Sequence, residues 1–158
     1  MLRVSKLTDY ATVILTYMAH QPDEIYAATD ITKVTGIALP TVSKVMKLLA
    51  KEAVVISRRG SKGGYVLAAA PVNINVARII VAIEGAISLT ECTTDEGLCD
   101  QESSCEIKGN WNVINRAVFT ALEAVTLADL KGSVKNQAVN VALPSMPLRS
   151  VNNLKVES

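Results

Sequence analysis

Two short runs rich in β-branched and aromatic residues, Ala53-Val54-Val55-Ile56-Ser57 and Tyr65-Val66-Leu67, are separated by seven residues, Arg58-Arg59-Gly60-Ser61-Lys62-Gly63-Gly64. So short and glycine-rich a connection leaves little choice but an antiparallel ribbon with a flexible, basic tip. What precedes the ribbon is helical. Residues 6–19 place Leu7, Ala11, Ile14, Leu15 and Met18 at a spacing of three to four, which predicts an amphipathic helix capped by Ser5 or Thr8 and ended by Pro22. A second helix is expected from Ala28 to Val34, with Thr29 or Asp30 near its start, and Gly36 supplies the turn. A third begins near Leu39-Pro40, because proline is favoured in a first turn where its missing N–H had no partner anyway. It continues through Val42, Val45, Met46, Leu48 and Leu49. Three short helices followed by a ribbon describe a winged helix-turn-helix.

Downstream, residues 74–86 show helical spacing at Val76, Ile79, Ile80 and Ile83, whereas 90–104 is polar, acidic and without period. From Trp111 through Ile114, Val118, Leu122, Val125, Leu127 and Leu130 the helical spacing returns, predicting one helix of about 20 residues, or about 30 Å. Beyond Gly132 there is little pattern, and Pro144 and Pro147 interrupt it. The expected fold class is mainly α with a small β-wing, a winged helix-turn-helix plus a long dimerisation helix. The expected organisation is a DNA-binding domain over 1–72, a loop and dimerisation helix over 73–134, and a flexible tail over 135–158. Hydrophobic residues make up 49% of the chain but aromatics only 4%, so the core is built from aliphatics. No apolar run approaches the ~20 residues of a membrane span. Met1 to Lys6 lacks the order of a signal peptide, so a cytoplasmic location is expected.

The formal net charge of +1 conceals an asymmetry. Residues 1–70 carry nine Lys or Arg against five Asp or Glu, whereas 84–106 carry seven acids and no Lys or Arg. A basic front half suits a polyanion, since each phosphate contact releases condensed counterions. In a helix-turn-helix the helix after the turn enters the major groove N-terminus first. The candidates there are Pro40, Thr41, Ser43, Lys44 and Lys47, with hydroxyls able to reach base edges and lysines able to reach phosphates. On the wing they are Arg58, Arg59 and Lys62, arginine being suited to a narrow minor groove. An isolated charged hairpin is more often ordinary solvated surface. Its place after three helices and the Gly36 turn favours the DNA-binding reading over that one, and over a helix-turn-helix used for protein contact.

All three cysteines fall within fourteen residues, as Cys92-x6-Cys99-x5-Cys105. An odd count in a cytoplasmic chain argues against a disulfide framework. Asp95, Glu96, Asp100 and Glu102 make the segment too polar for the cysteines to be core fillers. Clustered thiolates call for a cation. The intervals exceed the C-x2-4-C pairs of structural zinc sites, while iron–sulfur clusters accept wider spacing. Spacing alone leaves a cluster, zinc and a thiol switch open.

The stretches Leu7-Thr8-Asp9-Tyr10-Ala11, Asp30-Ile31 to Gly36-Ile37, Arg59-Gly60-Ser61-Lys62-Gly63-Gly64-Tyr65-Val66-Leu67 and the three-cysteine loop together resemble the IscR/NsrR class of iron–sulfur winged-helix repressors. Regulators of the SUF iron–sulfur assembly system are the nearest in pattern, over roughly residues 1–134. The resemblance implies an iron–sulfur cluster, 2Fe–2S or 4Fe–4S, on Cys92, Cys99 and Cys105, and repression of cluster-assembly genes while clusters are plentiful. Members with a 2Fe–2S cluster carry a histidine shortly after the third cysteine, where this chain has Glu106-Ile107-Lys108. Members similar to NsrR take an aspartate from the first helix of the partner subunit, and Asp9 stands at that position, with Glu106 as second candidate. His20, the only histidine, lies eleven residues from Asp9, about 16 Å along a helix, so both cannot serve one cluster. A last-turn role is the plainer reading of His20.

The 111–130 stripe, flanked by Asn112, Asn115, Arg116, Glu123 and Asp129, would be buried by antiparallel pairing with a second copy. A homodimer matches a palindromic double-stranded operator. A nitric-oxide or redox sensor on the same scaffold, and a zinc- or thiol-switch DNA-binding protein, are the alternatives. A cluster carrier without DNA binding is a further rival. An enzyme with a nucleophilic cysteine is disfavoured because no histidine lies near the cysteines in sequence.

Overall fold

The computed structural model describes residues 4–89 and 108–132. Helix α1 (Lys6–Met18) starts where the Ser5 hydroxyl accepts the Thr8 N–H, which makes Ser5 the cap. Thr8, the other capping candidate, is buried instead. Helix α2 (Ala28–Thr35) has no side-chain cap; Asp30 pairs with Lys33 at 2.9 Å rather than capping the helix. It ends at Gly36, whose φ of 71° is left-handed backbone that glycine enters without steric cost. Helix α3 (Leu39–Lys51) begins with proline in its first turn, as expected.

The wing pairs β1 (Val55–Arg58) with β2 (Gly64–Leu67) antiparallel, in the register Val55 to Leu67 and Arg58 to Gly64. Ala53, expected to open the first strand, instead lies in the turn after α3, with φ of 51°. A 3-10 turn (Pro71–Asn73) leads into α4 (Val76–Glu84), which Asn75 caps by accepting the Arg78 N–H at 2.8 Å.

The expected long helix from 111 to 130 is two helices. Helix α5 (Lys108–Glu123) stops, and α6 (Leu127–Lys131) restarts behind a capping box. In that box Thr126 accepts the Asp129 N–H while the Asp129 carboxylate accepts the Thr126 N–H at 2.8 Å. The break lets Leu127 turn inward and become fully buried, its N–H donating to the Ile74 carbonyl at 2.7 Å. Asn115, expected on a polar flank, is half-buried and donates to the Ile87 carbonyl at 3.1 Å.

One aliphatic core joins these pieces: Ile14, Leu15 and Met18 of α1, Val42, Val45, Met46 and Leu49 of α3, Ile79 of α4 and Leu127 of α6. Burying each such side chain contributes about 1.5–3 kcal/mol before entropy is counted. Tyr26 sits at its edge, with its ring edge-on to Tyr17 at 5.2 Å. No described helix is long and apolar enough to cross a membrane.

Candidate nucleic-acid interface

The α2-turn-α3 unit is anchored from below. Ile37 in the turn is buried, and the Thr35 hydroxyl ties back to the Ile31 carbonyl at 2.7 Å. Because Val42, Val45, Met46 and Leu49 all face the core, helical periodicity puts Pro40, Lys44, Lys47 and Lys51 on the opposite, exposed side. Thr41 and Ser43 are half-buried beside this stripe, at the N-terminal end. The first turn of α3 holds no acid, so its helix dipole adds to the positive field.

The wing is held to the body through Tyr26, whose backbone exchanges hydrogen bonds with Tyr65 at 2.8 and 2.9 Å. A Cβ on Gly64 would collide with the Tyr26 carbonyl, so only glycine permits this approach. Arg58, Arg59 and Lys62 project exposed from the far end. Among the described residues the sole ion pair is Lys33–Asp30. The cations of α3 and the wing therefore have no described carboxylate neutralising them. Two elements thus present exposed positive charge, which suits a duplex backbone met by a helix and a ribbon.

Asp9 is exposed on the first turn of α1. It lines an open groove of about 910 Å³ with Ser5, Lys6, Thr8 and Thr12 on one side and Val76, Ile80 and Leu122 on the other. His20 stands past the opposite end of the helix, its Nδ1–H donating to the Thr16 and Tyr17 carbonyls at 3.0 and 3.2 Å. Asp9 and His20 are thus not brought together; His20 lies just beyond the Ala19 C-cap rather than in the last turn, and its ring is occupied by that turn's carbonyls. Cys92, Cys99, Cys105 and Glu106 lie outside the described residues. Among the described residues no group of three His, Cys, Asp or Glu could hold a metal ion.

Sequence reading missed three residues. Lys51 extends the α3 stripe by one turn and was readable from periodicity. Arg78 donates from its guanidinium to the Ala53 carbonyl at 2.8 Å; being the only Lys or Arg between 63 and 107 was its one signal. Glu84 accepts the Ser5 N–H at 2.9 Å and the Thr8 hydroxyl, which no local pattern announces. These bonds hold its carboxyl below the usual carboxylate range, the Thr8 hydroxyl foremost.

Comparison with known proteins places this architecture. The chain is 30% identical over 131 residues to the HTH-type transcriptional regulator NsrR of Halalkalibacterium halodurans, covering 82% of this chain and 90% of that one. It is 30% identical over 139 residues to the HTH-type transcriptional regulator IscR of Yersinia pseudotuberculosis, covering 87% and 82%. Among solved structures, CymR, the global cysteine regulator of B. subtilis, superposes with a TM-score of 0.62 at 28% identity, covering 83% of this chain and 97% of that one. Residues 4–133 match the Rrf2 family model, described as an iron-dependent transcriptional regulator. A winged helix-turn-helix with exposed cations on both the helix after the turn and the wing, matched over these residues, is a transcriptional regulator of the Rrf2 family, and the chain belongs to that family.

Proposed function

We propose that the protein is a repressor of iron–sulfur assembly genes that binds a palindromic operator as a homodimer and carries an iron–sulfur cluster on Cys92, Cys99 and Cys105. The observation that carries the reading is the position of Asp9, an exposed carboxylate on the first turn of the helix against which α3 and α4 pack. As a hard oxygen donor reachable from outside its own chain, Asp9 fits the fourth position of a cluster whose thiolates come from a partner, and His20 does not. When bound, the cluster would supply a site sensitive to iron supply, oxygen and nitric oxide. Asp9, once engaged, would pin α1 and through the shared core the recognition helix α3. A coupling of about 1–3 kcal/mol would change operator affinity roughly 5- to 150-fold.

A second copy is the natural cover for α5. Trp111, Val113 and Ile114 are 37, 42 and 44% exposed, and within the described chain this helix packs chiefly on α4. Anaerobic purification with iron and sulfide counts, a visible spectrum and operator-shift assays tests the reading. Iron-free, colourless protein that resists reconstitution yet binds its operator normally would reject it. Because the fold is shared with a regulator titled the global cysteine regulator of B. subtilis, and nitric-oxide or redox sensing fits the same scaffold, a nitric-oxide or thiol sensor is the second reading. Titration of operator binding with nitric oxide and with thiol oxidants separates them.

A further inference from the structure

Ala53 is the only described non-glycine residue with a positive φ, 51°. A side chain bearing a Cβ disfavours that backbone, so something must hold it there. The turn is bound on the helix side by the Ala53 N–H donating to the Ala50 carbonyl at 3.2 Å, and by the Val54 N–H donating to the Leu49 carbonyl at 2.9 Å. On its other side the Ala53 carbonyl accepts the Arg78 guanidinium at 2.8 Å, across 25 residues of sequence. Val54 and Val55 are buried directly afterwards, and β1 leaves from this point. The backbone at Ala53 therefore sets the direction in which the ribbon departs from the recognition helix. Among the described residues Arg78 has no carboxylate partner that would give it a different role.

We propose that Arg78 is a positioning residue for the wing: by clamping the Ala53 carbonyl it fixes the angle at which β1 and β2 carry Arg58, Arg59 and Lys62 toward DNA. This inference rests on reading those three cations as DNA contacts. It also gives α4 a purpose beyond packing, since its other end, Glu84, is bonded to Ser5 and Thr8 and its chain continues toward the cysteines. The helix is tied both to the wing root and to the turn that holds Asp9.

The test is a double-mutant cycle on the full chain, read as equilibrium affinity for an operator duplex selected from random sequence, with thermal midpoints measured alongside. Arg78→Met is expected to weaken binding roughly 3- to 10-fold, about 0.6–1.4 kcal/mol. Arg78→Lys, which keeps a donor, is expected to recover most of the loss. In a background of Arg58→Ala, Arg59→Ala and Lys62→Ala, Arg78→Met should change affinity less than about twofold, because a clamp has nothing left to aim. Equal loss in both backgrounds, or no loss in the parent, overturns the proposal. A triple wing variant that binds as tightly as the parent overturns the DNA reading of the wing and this inference with it. A weakened triple variant in which Arg78→Met costs as much as it does in the parent overturns the inference alone. Should Arg78→Met melt below the assay temperature, the cycle is run below its midpoint, with Arg78→Leu as a second variant that lacks a donor.

Discussion

Glu84, the last residue of α4, receives the backbone N–H of Ser5 at 2.9 Å and the hydroxyl of Thr8, residues 79 and 76 positions away in sequence. The carboxylate thereby caps the start of α1 from another helix, an anion at the positive end of a helix dipole. Its carboxyl is held below the ordinary range in the folded state. Such a group contributes stability that is fully present above the unfolded-state value and is lost as pH falls through the folded value. Stability should therefore drop as pH falls from the ordinary glutamate range toward the lower value of the folded state. Glu84→Gln keeps one side-chain oxygen able to accept both donors but cannot titrate, so its thermal midpoint should fall less over that interval than the parent's. Parallel acid limbs for the two proteins would show that Glu84 is not the titrating group.

On the recognition surface, lysines and hydroxyls should separate by salt dependence. Lys44→Ala and Lys47→Ala should each weaken operator and random DNA alike and lower the slope of log affinity against log salt by about one. Thr41→Ala and Ser43→Ala should leave that slope unchanged. Where the hydroxyl meets a base edge, the variant should lose about 1–3 kcal/mol of discrimination at one operator position. Anisotropy titrations at several salt concentrations read both quantities.

The end of the chain's described region is held by Thr126 and Leu127. Thr126→Ala removes the α6 cap and should cost about 1 kcal/mol. Leu127→Ala empties a fully buried site and should cost about 2–5 kcal/mol. Urea unfolding measures both. Similar small losses for the two would mean that α6 contributes little to the core.

The interruption that creates α6 shows where sequence reading stops. Apolar spacing runs unbroken from Trp111 to Leu130, so period alone cannot reveal that Leu127 serves a different surface from Trp111. The clue was the pair Thr126 and Asp129, a capping pattern hidden inside a periodic stretch. By contrast the three N-terminal helices and the ribbon were legible, because Gly36, Pro40 and the glycine-rich tip each satisfy a local backbone demand. The exposed cations followed from the buried periodicity of α3. Arg78 and Glu84 were not legible. Each bonds a backbone group or hydroxyl far away in sequence, and such partners have no local spacing. The cysteines announce metal or redox chemistry by type and number, and their arrangement lies outside the described residues.

Gly64 is legible only as a turn residue, yet its place is tertiary. A methyl group there would strike the Tyr26 carbonyl and push the wing off its anchor. Gly64→Ala should cost about 1–3 kcal/mol. It should also weaken operator binding as the wing cations shift. Unchanged unfolding and unchanged binding would show that Tyr26 is not what holds the ribbon.

The proposed ligation of a cluster across two subunits makes a prediction that ligation within one chain cannot share. Asp9→Ala and Cys99→Ser homodimers should each lose the cluster spectrum or hold it only briefly. In a mixed dimer, the site built from the cysteines of the Asp9→Ala chain and from the Asp9 of the Cys99→Ser chain is complete, while the other site lacks both groups. Co-expression with two affinity tags isolates that heterodimer. Its spectrum should show the parental shape with one cluster per dimer, half the parental content, and a parental lifetime in air. Were Asp9 to serve its own chain's cysteines, neither site would be complete and the mixed dimer would be as labile as the homodimers. An Asp9→Ala homodimer with parental spectrum and lifetime would remove Asp9 from the ligand set altogether and turn attention to Glu106.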